Sequence, residues 1–371
     1  MLTTNLKSVF NKFKASGTWQ NASAKGSGHI HSTWLIKTSE DDQPDYILQR
    51  INQNVFPPVA EMMANIEKVT RHIIKKRKKH GSEEMLEIIT TKSDKSYYTD
   101  QKGNYWRMYR NISPGISYDI LPNNRIAYEA GKAFGQFIRD LRDLPADEIF
   151  PVIPHFHSME MRFGQFKSAL EADPVNRTAR AKEEIGFVFS HISDMMVIPK
   201  LENEGKLPVR ITHNDTKINN LLFDKNDKAV CVIDLDTVMP GLSLYDFGDT
   251  IRTAANTAGE DEPDTGKIQF NLPVFQACAE GFLEKTISFL TPAEVDLLPL
   301  SAQYMTFIMG LRFLTDYISG DTYFATSYNN HNLVRCRAQI RLMRLMIDKY
   351  QDSRDIILQT AEKYQIQQRR R

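Results

Sequence analysis

Apolar positions first recur at helical spacing: Leu2, Leu6, Val9, Phe10 and Phe13 share one face of a short segment that Gly17 ends. The pattern then changes to alternation. Ser32–Ile36 (STWLI) and Asp45–Ile51 (DYILQRI) carry β-branched and aromatic residues and predict strands of a hairpin arrangement. A glycine-rich turn precedes them at Lys25–Ile30, and Asp41–Pro44 supplies turn chemistry between them. In the second strand Tyr46, Leu48 and Arg50 alternate with Ile47, Gln49 and Ile51. Val59–Lys79 reads as a helix bracketed by Pro57, Pro58 and Gly81, and strands resume at Met85–Thr91, Tyr97–Thr99 and Tyr105–Ile112. After Pro114 and Gly115 long helical periodicities dominate: Ala127–Leu141, His157–Glu171, Arg177–Met196, Leu272–Phe289, Ala293–Thr315 and Leu333–Tyr364. The exception is the block Val209–Asp236, where LLF (Leu221–Phe223) and AVCVIDL (Ala229–Leu235) flank the turn DKNDK, a β-hairpin signal.

The expectation is an α+β chain in two parts, a strand-rich lobe over 1–112 and a larger, mainly helical lobe over 113–371. Length agrees, because 371 residues exceed the roughly 250 at which single cores stop growing. Composition narrows the class further. With 41% hydrophobic and 25% charged residues the chain has the makeup of a folded globular protein. Lys plus Arg number 47 against 46 for Asp plus Glu, so no global charge points to nucleic acid or a membrane surface. The local runs RHIIKKRKKH at Arg71–His80 and the terminal QQRRR read as solvated helix faces or ends. Cys231, Cys278 and Cys336 lack paired ligand spacing, which argues against zinc and a disulfide framework. No secretory pattern opens the sequence and no apolar run approaches the ~20 residues of a membrane span. The expected location is the cytoplasm, with a monomer favoured.

Candidate chemistry concentrates in ITHNDTKINNLLFD. Asp215 stands five residues before Asn220 and just upstream of the hairpin, the spacing of a phosphoryl-transfer loop in which the Asp accepts a hydroxyl proton and the Asn holds a metal. Such a reaction needs a positioned acceptor and cations on phosphate oxygens, with little covalent help. Asp234, closing the apolar run AVCVID, is placed to be the second metal ligand. Hard carboxylate and amide oxygens suit magnesium. Asp236, two residues on, reads as a supporting or second-metal ligand, and His213 as a hydrogen-bonding brace. Each of these residues alone would pass for turn or cap chemistry; their combination with the hairpin carries the reading.

On these residues the sequence resembles the aminoglycoside phosphotransferase and choline kinase group, whose loop reads His-x-Asp with an Asn five beyond. Within it, GSGHI at Gly26, YILQRIN at Tyr46, HNDTKINN at His213, IDLDTVMPGLSLYDFGDTIR at Ile233 and RFLTDYISGDTYF at Arg312 make it most similar to N-acetylhexosamine 1-kinases. The resemblance implies a protein-kinase-like bilobal fold, ATP with Mg2+, and phosphorylation of the anomeric hydroxyl of N-acetylglucosamine or N-acetylgalactosamine. It also assigns positions. Gly26, Ser27 and Gly28 would cover phosphates; Arg50 would stand where a lysine normally meets them, paired with Glu61 or Glu67. Arg110 to Ile112 would meet the adenine edge, and Arg312 and Tyr323, with Asp316 less securely, would meet the sugar. Asp246 and Asp249 read as braces of the loop. The alternatives are a kinase for another small alcohol (an aminoglycoside, choline-like or homoserine-like acceptor) and, because of Arg50, a nucleotide-binding pseudokinase.

Overall fold

The structure is a computed structural model that describes residues 2–25, 30–78 and 86–369. Five antiparallel strands form the first sheet: β1 (Trp19–Ala24), β2 (Ser32–Thr38), β3 (Tyr46–Arg50), β4 (Tyr98–Thr99) and β5 (Tyr105–Arg110), in the spatial order β1-β2-β3-β5-β4. Two helices, α1 (Leu2–Phe10) and α2 (Val59–Lys78), serve its opposite faces. Parity decides which residue goes where. Ile36, Tyr46, Leu48, Trp106 and Met108 pack with Leu6, Val9, Phe10 and Phe13 on the α1 side. Ile47 and Tyr109 face the other way, into a cluster with Met62, Met63, Ile66 and Val69 of α2.

The remainder is helical around two short ribbons. Its elements are α3 (Asn124–Leu141), α4 (Met159–Ala172), α5 (Lys182–Met195), α6 (Val197–Asn203), β6 (Arg210–Thr212), β7 (Leu221–Phe223), β8 (Ala229–Val232) and β9 (Met239–Gly241), then α7 (Ser243–Ala254), α8 (Leu272–Thr286), α9 (Pro292–Ser319), α10 (His331–Asp348) and α11 (Tyr350–Arg369). β6 pairs with β9 and β7 with β8, both antiparallel. The large core joins α3 and α7 to α11, whereas the α2-side cluster draws Ile51, Val69 and Tyr109 together with Phe137, Ile211, Cys231 and Met239. The floor of the cleft is therefore built by both halves of the chain.

Where α3 crosses α8 the backbones nearly touch: a Cβ on Gly131 would lie 2.0 Å from the Cys278 carbonyl oxygen. The longest helix, α9, starts with a capping box of Thr291 and Glu294 and stops at Gly320 in the left-handed conformation, φ 96°. It is apolar and long enough to cross a bilayer, a point the residue count did not foresee, but 78% of its most apolar window is buried inside the protein. Such a helix is the central post of the core.

Several boundaries differ from the sequence pattern. Leu333–Tyr364 is two helices, broken at Lys349, and the second turns to lay Ile357 and Ala361 on the core. The helix expected from Arg177 begins at Lys182, after a short 3-10 turn at Thr178–Arg180. Of Met85–Thr91, Met85 lies outside the described residues, and the rest forms isolated bridges rather than a strand. Its hydrogen bonds are divided: the Ile89 amide donates to Met108, while the Thr90 carbonyl accepts from Lys14 on the other side. Helix α7, SLYDFGDTIRTA, was not singled out as a helix; it is buried on nearly all sides, its polar face of Ser243, Asp246, Asp249 and Thr250 included.

Candidate active site

The loop between β6 and β7 carries the candidate residues Asp215 and Asn220. Asn214 turns the chain in the left-handed region, φ 63°, and Asp215 follows it. Three supports hold the turn. The Asp246 carboxylate at the start of α7 accepts from the amides of His213 (2.9 Å) and Asn214 (2.8 Å). His157 donates from Nε2 to the Asn214 carbonyl at 2.9 Å. The Asn214 side chain donates to the carbonyls of Thr212, Thr237 and Met239. His213 is buried between Phe134 and Phe137, gives Nε2–H to the Ile233 carbonyl and accepts the Asp215 amide at Nδ1. With both ring nitrogens engaged it supports the loop and takes no part in proton transfer.

Asp215 lies beside Asn220 and Lys217. Asn220 Nδ2 donates to the Asp215 carbonyl (2.9 Å) and to Oδ2 (3.1 Å), and Lys217 Nζ stands 3.3 Å from the same carboxylate. Burial would raise the Asp215 carboxyl, yet the cations Lys217 and Arg252 hold it below the ordinary value, so it is ionised at neutral pH. Asp215 in turn pushes the Lys217 ammonium up, and it stays charged. Asn220 Oδ1 has no hydrogen-bond donor among the described residues and remains available to a hard cation.

Asp234 follows β8 with its own backbone left-handed, φ 61°. Its carboxyl is raised by burial and by the charges of Asp236 and Asp215, against the pull of Arg107 and Lys217. A carboxylate crowded by like charge is relieved by a cation, so Asp234 and Asn220 Oδ1 fit a magnesium-type donor set. Asp236 is differently employed. Both its oxygens accept from Arg107, with Nη2 at 2.9 Å, and it also accepts from His31 Nε2, whose Nδ1 takes the Asn52 amide. Burial alone would raise Asp236, but Arg107 and His31 hold it far down. Although His31, Asp234 and Asp236 offer ligand atoms within 4.8 Å of one another, two of the three are already spent on each other and on Arg107. Asp234 is the open one.

Arg107 was not singled out from sequence. It lies on the cleft face of β5, opposite Gln49 in the β3 register, and its Nε donates to Gln49 Oε1 at 2.9 Å. Arg50, expected near the phosphates, has the other parity. It points with Tyr46 and Leu48, is exposed and, among the described residues, donates only to Ser32 Oγ at 3.4 Å. No ion pair joins it to Glu61 or Glu67 among the described residues, and Glu67 pairs with Arg71 one helical turn along α2. The buried cation of this sheet is Arg107, and its acid is Asp236. Gly26, Ser27 and Gly28 lie outside the described residues.

At the end of β5, Arg110 is exposed and loosely paired with Glu87 at 3.5 Å, and the Asn111 amide bonds to Asp45. Neither the amide nor the carbonyl of Ile112 has a backbone partner among the described residues, which leaves it free to meet a planar edge. Further along the chain, Arg312 lies within 5.3–5.7 Å of the rings of Phe156, Tyr323 and Phe324. Tyr323 is 62% exposed. Burial pushes His157 down to about 3, and the charges of Arg312, Arg162 and Asp215 all reach it, so it sits between the loop and α9. Asp316 is saturated: it accepts from the amides of Thr322, Tyr323 and Phe324 and from Asn332. It holds the chain that presents Tyr323 and is not open to an acceptor.

Asp249 and Arg252 form a buried pair on α7, extended to Glu260. Gly248, in the segment YDFGD, packs against α9 so closely that a Cβ would meet the Ser301 carbonyl oxygen at 2.2 Å. This segment is thus a helix that braces the loop, and the open acid is upstream of it. Lys217 is the other residue that sequence reasoning passed over, although its place two residues beyond Asp215 in one loop was a visible signal.

A small antiparallel sheet set over a helical body, with acids gathered beneath the sheet, is a kinase-like fold. The chain belongs to the phosphotransferase enzyme family, whose pattern matches residues 22–280. Its structure is similar to an aminoglycoside phosphotransferase from Alicyclobacillus acidocaldarius, with a TM-score of 0.59 at 14% identity and 96% of each chain covered. It is also similar to a spectinomycin phosphotransferase in complex with ADP and spectinomycin (TM-score 0.59, 12% identity, 97% of this chain and 98% of that one). A choline kinase from Cryptosporidium parvum follows at TM-score 0.55 and 12% identity, with 89% and 90% covered. At such identities these neighbours speak to the shared fold.

Proposed function

We propose that this phosphotransferase moves the γ-phosphate of ATP to the C1 hydroxyl of an N-acetylhexosamine. The observation that carries the reaction is the grouping of an ionised Asp215 with Lys217 and Asn220 on one loop. Asp215 takes the proton of the attacking hydroxyl and orients it, and Lys217 stays charged to receive phosphate oxygens. Asn220 and Asp234 would hold Mg2+, which when bound neutralises charge on the phosphate oxygens. Ile112, at the end of β5, would offer its backbone to adenine.

The acceptor is inferred from the charge of its side of the cleft. A cationic amino alcohol or aminoglycoside needs an unpaired carboxylate near its amines, and the acid of this segment, Asp316, is consumed by backbone amides. What remains is Arg312, Arg162 and the exposed Tyr323 hydroxyl, which suit hydroxyl and acetamido oxygens of a neutral sugar. ADP release would be followed with ATP, Mg2+ and a panel of N-acetylglucosamine, N-acetylgalactosamine, choline, homoserine and aminoglycosides, and the product identified by phosphorus NMR. Turnover confined to choline or an aminoglycoside would overturn the sugar assignment. Silence with every acceptor, despite ATP binding, would favour a pseudokinase.

A further inference from the structure

A second concave site lies on the other side of the β7–β8 hairpin. It is an open groove of about 610 Å3 bounded by the end of α2, one stripe of α3, β8 and Lys285 of α8. The α3 stripe is Glu129, Lys132, Ala133, Gln136, Arg139 and Asp140, the i, i+3, i+4, i+7 series along one side of the helix. Asp215, Lys217, Asn220, Asp234 and Arg107 do not line it.

Charge is what marks this groove. Seven cations line it (Lys76, Arg77, Lys132, Arg139, Arg142, Lys228 and Lys285) against the carboxylates of Glu129 and Asp140. Part of that excess is internally matched: Arg77 pairs with Asp140, Lys76 with Asp143, and Lys132 and Lys285 share Glu284. Arg139, Arg142 and Lys228 are in no ion pair with any described residue. Cations at the C-terminus of a helix are favoured by its dipole, and that alone would explain Arg139 and Arg142. It does not explain why cations from α2, from the hairpin and from α8 converge on the same hollow. Beneath them the floor is apolar, made of Ala133, Ala229, Val230 and Val232.

We infer that this groove binds a small organic phosphate, the phosphate held by Arg139 and Arg142 at one end and the organic part lying on β8 towards Lys228 at the other. Two guanidinium groups one turn apart can each grip phosphate oxygens in a fork, and the volume is that of a site for a small ligand. Binding there would be felt by the metal acids. β8 runs directly into Ile233 and Asp234, the Ile233 amide donates to the Asn220 carbonyl at 2.9 Å, and the Ile233 carbonyl accepts from His213 at 2.9 Å. The shared chemistry is a phosphate on an organic frame; a nucleotide and a sugar phosphate are the two sources.

The test is calorimetric titration of the full chain in EDTA, where the carboxylates of the cleft repel phosphate and the basic groove does not. Pyrophosphate, ADP and N-acetylglucosamine 1-phosphate would be titrated into wild type, into Arg139→Glu/Arg142→Glu, and into Lys200→Glu as an exposed control elsewhere. The expected result is saturable binding of at least one organic phosphate, tighter than pyrophosphate and weakened by added salt. The double variant should weaken it by about tenfold or more while the control leaves it unchanged. ADP against the sugar phosphate separates the two sources. Equal binding by wild type and double variant, binding of pyrophosphate alone, or no binding of any probe would overturn the inference. So would capture of an acidic peptide by the groove while the phosphates stay unbound. Circular dichroism of the double variant, whose substitutions are on exposed positions, separates lost binding from lost folding.

Discussion

The pair Arg107–Asp236 offers the sharpest physical test of how the two halves of the chain are joined. Arg107 is on the sheet and Asp236 follows β8, and their side chains are 1% and 2% exposed. Arg107→Met removes the guanidinium and leaves the Asp236 carboxylate buried with His31 as its main partner. Removing one member of a buried pair costs about 3–5 kcal/mol, because the survivor keeps its desolvation penalty. For 371 residues, an unfolding entropy of roughly 2.1 cal/mol/K per residue sums to about 0.8 kcal/mol/K, so the midpoint should fall by about 4–6 °C. Asp236→Leu should fall by a similar amount. The double variant Arg107→Met/Asp236→Leu has no orphaned charge and should recover most of the loss, giving a coupling of about 4 kcal/mol or more in a double-mutant cycle. Differential scanning calorimetry on the four proteins measures this directly. Single variants within about 1 °C of wild type, or losses that simply add in the double variant, would refute the reading of a desolvated, mutually dependent pair.

Other outcomes follow from the same geometry. Asp215→Asn should abolish ADP release while calorimetric ATP binding survives, and an active variant would remove Asp215 as the base. Asp234→Asn should lower turnover by about a hundredfold or more and raise the magnesium concentration needed for half-activity. Arg50→Ala, on the α1 side of the sheet and exposed, should leave kcat/KM within about twofold and stability within about 0.5 kcal/mol of wild type. Burial raises Asp246 to about 6, against the opposing effect of the His213 and Asn214 amides it accepts. Its unfolded value is about 3.9, so this group favours the folded state below about pH 4 and that contribution is lost as pH rises through 6. Urea midpoints should accordingly show the wild type losing ground to Asp246→Asn between about pH 4 and 6, and a pH-independent difference would contradict the shift.

Local chemistry was legible where it was written in one stretch of sequence. The Asp215–Asn220 spacing, the β7–β8 hairpin and the position of Asp234 could all be read from neighbouring residues, and the structure brings them together. Long-range pairing could not be read. Nothing in YWRMYR says that Arg107 will meet a carboxylate 129 residues away, and hydrophobic periodicity cannot see an ion pair. Arg50 shows the reverse case, since the alternation of Tyr46, Leu48 and Arg50 already contained the answer that it shares a face with the α1-side core. Helix α7 has an amphipathic pattern, but its polar face of Asp246, Asp249 and Thr250 is buried against the loop and its neighbours, and nothing in the pattern tells a buried polar face from a solvated one. The break at Lys349 escaped because no glycine or proline marks it.

Asn214 and Asp234 share one property: each sits at a positive φ, 63° and 61°, without being glycine. Left-handed backbone costs an ordinary residue about 1–2 kcal/mol and is most tolerable for Asn and Asp. The aim of the Asp215 and Asp234 carboxylates is thus set in part by main-chain torsions and not by side-chain rotamers alone. A Val or Ile introduced at either position would change where the chain points before it changed any contact, and the harm would reach the neighbouring acid as well as the substituted site.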